Sequence, residues 1–252
     1  MIDKISSVDW LESYSKLGEA AQLFLFDAFH HIHQEFEYQL AGEIFGKKIQ
    51  KIDPTDADRK VLADSSNIPD NLIDLLKFED DVLTKHTQER LENTWIEAQN
   101  EAKVQKHVFS FKHELKGISL LGNFTNFALF FEVLLNRHLL YLKISNSITD
   151  ETYNTMDRSP VMSKLNFVFK EEINAKKVKV GQVSRLYKFR NLSVHYTATN
   201  AKRLKITIEQ IMAIWKETKR IVEEMHNIEQ QIELSFSTLI EEQIFIVKER
   251  WL

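Results

Sequence analysis

Apolar residues recur at helical spacing along most of the chain. From Asp9, placed to cap with Glu12 three residues on, the series Trp10, Tyr14, Leu17, Ala21, Phe24, Ala28, Ile32 and Phe36 predicts a helix reaching about Phe45. Residues 46–70 gather Pro, Asp, Ser and Asn among scattered apolar positions and read as a connection with room for one short helix. From Asn71 to about Leu115 there is no Pro or Gly and good helix formers dominate, so a long helix is expected, solvated over the polar stretch from Lys85 to Lys106. Gly117 and Gly122 interrupt it. A helix from Asn123 to Ser145 then carries Phe124, Phe127, Phe130, Phe131, Leu134, Leu135, Leu139 and Leu142 on almost every side. Such a helix must be covered nearly all round, either at the centre of the fold or at an oligomer interface. Ser159 and Pro160 read as a cap and a first-turn proline opening a helix to about Ile173, and Gly181 precedes a short helix over about 182–196. After a polar connection, Thr207 and Gln210 fit a capping box. They open a long amphipathic helix through Ile211, Ile214, Trp215, Ile221, Val222 and Met225, with a bend before the C-terminus.

Composition narrows this picture to one fold class. Six Gly and three Pro in 252 residues are too few for the turns of an all-β chain or the crossovers of an α/β chain. The expectation is all-α, built from a few long helices. The absence of cysteine excludes disulfides, thiolate zinc sites, iron-sulfur clusters and cysteine nucleophiles. The first residues carry acids where a signal peptide needs a basic flank, and no run approaches the roughly 20 apolar residues of a membrane span. A cytoplasmic protein with no membrane partner is therefore expected. With no Walker loop, GxGxxG, HExxH or GxSxG in the chain, P-loop hydrolysis, zinc proteolysis and α/β-hydrolase chemistry are set aside.

Charge is unevenly placed. Lys164 to Lys205 holds eleven basic residues and only Glu171 and Glu172 as acids, so 42 residues carry +9 in a chain of net charge −4. A basic patch on an acidic protein points to an anionic partner, nucleic acid first, with Lys176, Lys177, Lys179, Arg185, Lys188, Lys202 and Arg203 as candidate RNA contacts. A solvated basic surface without a partner is the alternative.

Inside that segment stand Arg190, Asn191 and His195, spaced R-N-x-x-x-H at the end of a predicted helix. The spacing resembles the signature of the HEPN superfamily (higher eukaryotes and prokaryotes nucleotide-binding domains), over about 115–233 of this chain. The resemblance implies an all-α, HEPN-like antiparallel bundle of long helices over 115–252, preceded by a helical extension over 1–114, and a homodimer in which two copies of the motif face one cleft. It further implies metal-independent endoribonuclease activity without a cofactor, in a toxin-antitoxin or phage-defence setting where an antitoxin protein is a candidate partner. The alternative, also within the family, is a non-catalytic helical module that binds RNA, a nucleotide or a protein.

The residue types suit that chemistry in their own right. RNA cleavage by attack of the 2′-oxygen needs a base, an acid, and positive charge on the phosphorane between them. His195 can serve as base or acid, Arg190 can hold two phosphate oxygens, and Asn191 can orient the imidazole. On a helix Asn191 and His195 lie about 40° apart, but Arg190 and His195 about 140° apart, so one motif makes an incomplete site. The bland alternative is that Arg190 pairs with an acid and His195 caps a helix end.

Three further groups draw attention. Glu132 and Asn136 form a polar line on the apolar helix; Glu132 could support the site through Arg190, or face solvent or Arg137. Tyr187, Phe189 and Tyr196 interleave with cations and could stack bases, although such residues are more often core, and Tyr196 is the one expected to contribute. His30, His33 and Glu37 share a face beside His31, but three ligands on one straight helix rarely wrap a metal, so no metal site is expected.

Overall fold

The computed structural model of the chain describes residues 7–30, 32–51, 85–194, 205–230, 232 and 234–252. They are mostly helical, as the Gly and Pro counts require. The helices are α1 (Ser7–His30), α2 (Ile32–Ile49), α3 (Lys85–Val104), α4 (Gly117–Ile144), α5 (Asp150–Asp157), α6 (Val161–Val168), α7 (Lys170–Asn174), α8 (Val180–Val194), α9 (Ile208–Ile228) and α10 (Ser235–Trp251). Two short strands, β1 (Glu114–Lys116) and β2 (Lys205–Thr207), pair antiparallel with Leu115 opposite Ile206. No described helix is long and apolar enough to cross a membrane.

The chain forms two compact units, residues 1–32 with 106–252 and residues 33–105. This departs from a division at 114/115, and α1 is the reason. Its Ala21, Leu25, Ala28 and Phe29 are buried, and the Phe29 ring meets Phe127 of α4 at 5.7 Å and Trp215 of α9 at 5.0 Å. A helix that contributes aromatic contacts to the core of the C-terminal half belongs to that half. The helix expected to reach about Phe45 is described as α1 and α2, on either side of residue 31, which lies outside the described residues.

In the larger unit α4 is the central element, packed against α1, α5, α6 and α8. Its Phe127, Phe130, Phe131, Leu134, Leu135 and Leu139 are all buried. The open choice between a central helix and an oligomer interface is thereby resolved in favour of the centre. Helix α9 starts on the expected capping box: the Thr207 hydroxyl accepts from Gln210 N at 3.2 Å and the Gln210 side chain accepts from Thr207 N at 3.2 Å. Phe111 O accepts from Glu209 N at 3.0 Å, so the segment before β1 closes a further free N–H of that helix end.

Three local expectations are corrected. The helix expected over 71–115 ends at Val104, because Leu115 is instead a buried strand residue of the small sheet; residues 52–84 lie outside the described ones. The helix opened by Ser159 starts at Val161, since the Ser159 hydroxyl turns back to donate to Thr155 O at 2.8 Å and Pro160 occupies the cap. That helix breaks at Phe169, whose buried ring anchors the bend before α7.

The smaller unit is built on α2 and α3. Trp95 of α3 meets Tyr38 at 5.3 Å and Phe45 at 5.5 Å, and Lys48 bridges Glu97 and Glu101 at 3.4 and 3.2 Å.

Candidate functional site

Helix α8 carries the motif, and its buried face fixes where the motif points. Val183 and Leu186 are buried, and the Phe189 ring stacks on Phe124 of α4 at 5.3 Å with 24° between planes. Tyr187 donates its hydroxyl proton to Ala128 O at 3.0 Å. Both aromatics are thus packing groups of the α4–α8 contact, which decides their role against base stacking.

Arg190 follows on the next half-turn and is half-buried, while Asn191 is exposed. The Arg190 Nη1 donates to the Asn191 Oδ1 at 3.2 Å, so the two adjacent motif residues form a pair at the end of α8. Glu132 of α4 stands near them. Burial pushes the Tyr187 phenol pKa up, the Glu132 carboxylate adds to that shift, and the Arg190 guanidinium opposes it. Glu132 and Arg190 are thus both within electrostatic reach of the Tyr187 phenol. His195, Tyr196, Lys202 and Arg203 lie outside the described residues.

The basic segment divides in two. Lys176, Lys177, Lys179 and Lys188 are exposed, and Arg185 is half-buried with its Nη1 donating to Gln182 Oε1 at 3.2 Å. Lys176 has φ 60°, and the Lys177 N–H closes back on Glu172 O at 2.8 Å, so the chain turns sharply after α7 and presents successive lysines. Lys164 belongs to the interior: 3% exposed, it donates to Asn136 Oδ1 at 2.6 Å. Asn136 is thereby the partner of a buried lysine, and its neighbour Arg137 turns to α1, with its guanidinium 4.3 Å from the centre of the Tyr14 ring.

Sequence reasoning missed a second polar group, also built on α4. His138 and Glu229 are both fully buried, with His138 Nδ1 2.8 Å from Glu229 Oε2. The Tyr14 hydroxyl of α1 donates to the other carboxylate oxygen. Glu229 sits at the C-terminal cap of α9, where its backbone N–H donates to Met225 O at 2.8 Å and its carbonyl accepts from Ile232 N at 2.9 Å. Gly18 makes room for the neighbouring arginine, since a Cβ there would lie 3.0 Å from the Arg137 Cζ. This cluster ties α1, α4 and the end of α9 together, and its imidazole and carboxylate are closed to solvent. The signal in the sequence was the polar triplet Asn136, Arg137, His138 inside an apolar helix; nothing in the sequence pointed to Glu229 as the partner.

Among the described residues no group of three or more His, Asp or Glu is arranged to hold a metal ion. His30 and His33 fall in different compact units, and His31 lies outside the described residues. No protein-family model, curated protein or solved structure matches the chain.

Proposed function

We propose that the protein is a metal-independent endoribonuclease of HEPN type, with Arg190, Asn191 and His195 as its catalytic residues and a second copy completing the cleft. The observation that carries this reading is the Arg190–Asn191 pair, held at the end of a firmly packed helix with the guanidinium partly open to solvent. Among the described residues Arg190 donates to a neutral amide, a partner that does not neutralise the charge a phosphate would meet.

In this mechanism RNA lies along the exposed lysines of residues 176–188. The imidazole of His195 takes the 2′-hydroxyl proton, and the 2′-oxygen attacks the adjacent phosphorus. The 5′-oxygen leaves with a proton from the second acid-base group of the dimeric site, giving a 2′,3′-cyclic phosphate. Arg190 stabilises the phosphorane by facing two of its oxygens. Asn191, released from Arg190 when phosphate takes the guanidinium, orients the imidazole. Glu132 and Tyr196 support the site, the first through the Tyr187 phenol.

The test is incubation of purified protein with total RNA in EDTA. Cleavage is expected to persist without a divalent ion and to leave cyclic phosphate ends. His195→Ala and Arg190→Ala should each cost about 10²- to 10⁴-fold, and 2′-deoxy substrates should resist. Cleavage that demands a metal, or variants as fast as the wild type, would overturn the assignment. RNA binding without cleavage, together with a monomer by light scattering, would favour the non-catalytic module.

A further inference from the structure

A second surface takes no part in that chemistry. Between α1 and the first half of α10 runs an open groove of about 420 Å³, lined by Leu25, Phe26, Phe236, Leu239 and Glu242 among others. At 100° per residue, Ser235, Thr238, Leu239 and Glu242 share one face of α10, and the same face continues through Phe245, Ile246 and Glu249. Phe26 is 49% exposed and Phe245 60% exposed, with Ile246 also open to solvent. Single exposed apolar residues are ordinary, but these are aligned along one groove and its extension.

The charge on this strip is mainly acidic. Glu242 and Glu249 are exposed on it, its own positions carry no Lys or Arg, and Arg250 at its edge lies over the Trp251 ring at 4.7 Å. We propose that the groove docks an amphipathic helix of a partner protein, with two or three large apolar side chains seated between α1 and α10 and Lys or Arg on its flanks facing Glu242 and Glu249. Helix-in-groove recognition needs apolar anchors at i, i+3 or i+4 and i+7, and Leu239 and Ile246, seven residues apart on α10, with Phe26 on α1, offer apolar surface to seat them. Charge selects this occupant over the others. Two-fold pairing of α10 with a second copy would set the same acids against each other. An anionic lipid surface or a nucleic acid would meet the same repulsion.

The experiment is a fluorescence-anisotropy titration of the full chain with three labelled 18-residue peptides: one with a leucine stripe at helical spacing flanked by Lys, its counterpart with Glu for Lys, and a scrambled form of the first. The striped cationic peptide should bind at least about tenfold tighter than either control. Phe245→Ser and Glu242→Lys should each weaken it by about tenfold, with melting temperature unchanged because both side chains are exposed. Equal binding of the three peptides, or affinity indifferent to both variants, would overturn the proposal. So would loss of a dimer in Phe245→Ser by light scattering, or pelleting with phosphatidylserine vesicles that Phe245→Ser abolishes, since each assigns the groove to another occupant.

Discussion

Two polar groups lie against the central helix α4 and have opposite characters. The Arg190–Asn191 pair stands at the end of α8, partly in solvent, and is joined by a single bond of 3.2 Å between neighbours in sequence. The His138–Glu229–Tyr14 group has its imidazole and carboxylate fully buried behind a half-buried phenol, joins three elements far apart in the chain, and satisfies both carboxylate oxygens. The first can exchange its partner for a ligand at little cost to the fold. The second has its imidazole and carboxylate closed to solvent, and removing any member leaves another polar atom stranded in the interior. His138 Nε2 already has no hydrogen-bond partner among the described residues, so the cluster has little slack. An ionisable cluster is therefore read by its access to solvent as well as by its residue types.

The sharpest way to break this contrast is to remove one member of each group. Glu229→Ala should destabilise the chain by about 3–5 kcal/mol, the cost of breaking a buried pair from one side, read from urea unfolding midpoints. Arg190→Ala should stay within about 0.5 kcal/mol of the wild type in the same measurement. Equal losses would erase the distinction.

A smaller effect is expected at the basic turn. Reversing Lys176, Lys177 and Lys179 to Glu should reduce the slope of log affinity for single-stranded RNA against log salt by about 2, because each lost phosphate contact removes about 0.7. Anisotropy between low and moderate salt measures it; an unchanged slope would place the RNA elsewhere.

The smallest effect concerns the half-buried phenols. Burial, with help from Asp157, pushes the Tyr153 pKa up to about 12 from 10.0, and burial pushes Tyr187 up as well. For a group raised in the folded state the stabilisation is complete below the unfolded value and is lost as pH climbs through the folded one. Stability should therefore decline between pH 10 and 12, and absorbance titration should find these two among the last of the six tyrosines to ionise.

Legibility followed the range of the interactions involved. The capping box at Thr207 and Gln210 was readable because both partners lie within four residues. That α4 is covered was readable because a helix with Phe or Leu on every side must be buried, and the packing of its neighbours decided that the cover comes from within the chain. The R-N pair was readable as a motif, and its neighbours Tyr187 and Phe189 resolved into packing groups only once α4 supplied Ala128 and Phe124. The β1–β2 pair escaped notice because three residues are too few to show a period of two, and Leu115 and Ile206 find each other across 91 positions. The same separation hid Glu229 from His138. Local propensity and periodicity thus determined most of the helices, and a short motif singled out the end of α8. Tertiary packing alone decided that α1 belongs with the C-terminal half, that Lys164 is interior, and which carboxylate meets the buried histidine. A buried charge takes whichever partner the assembled helices bring within about 3 Å, and no local pattern in the chain encodes that meeting.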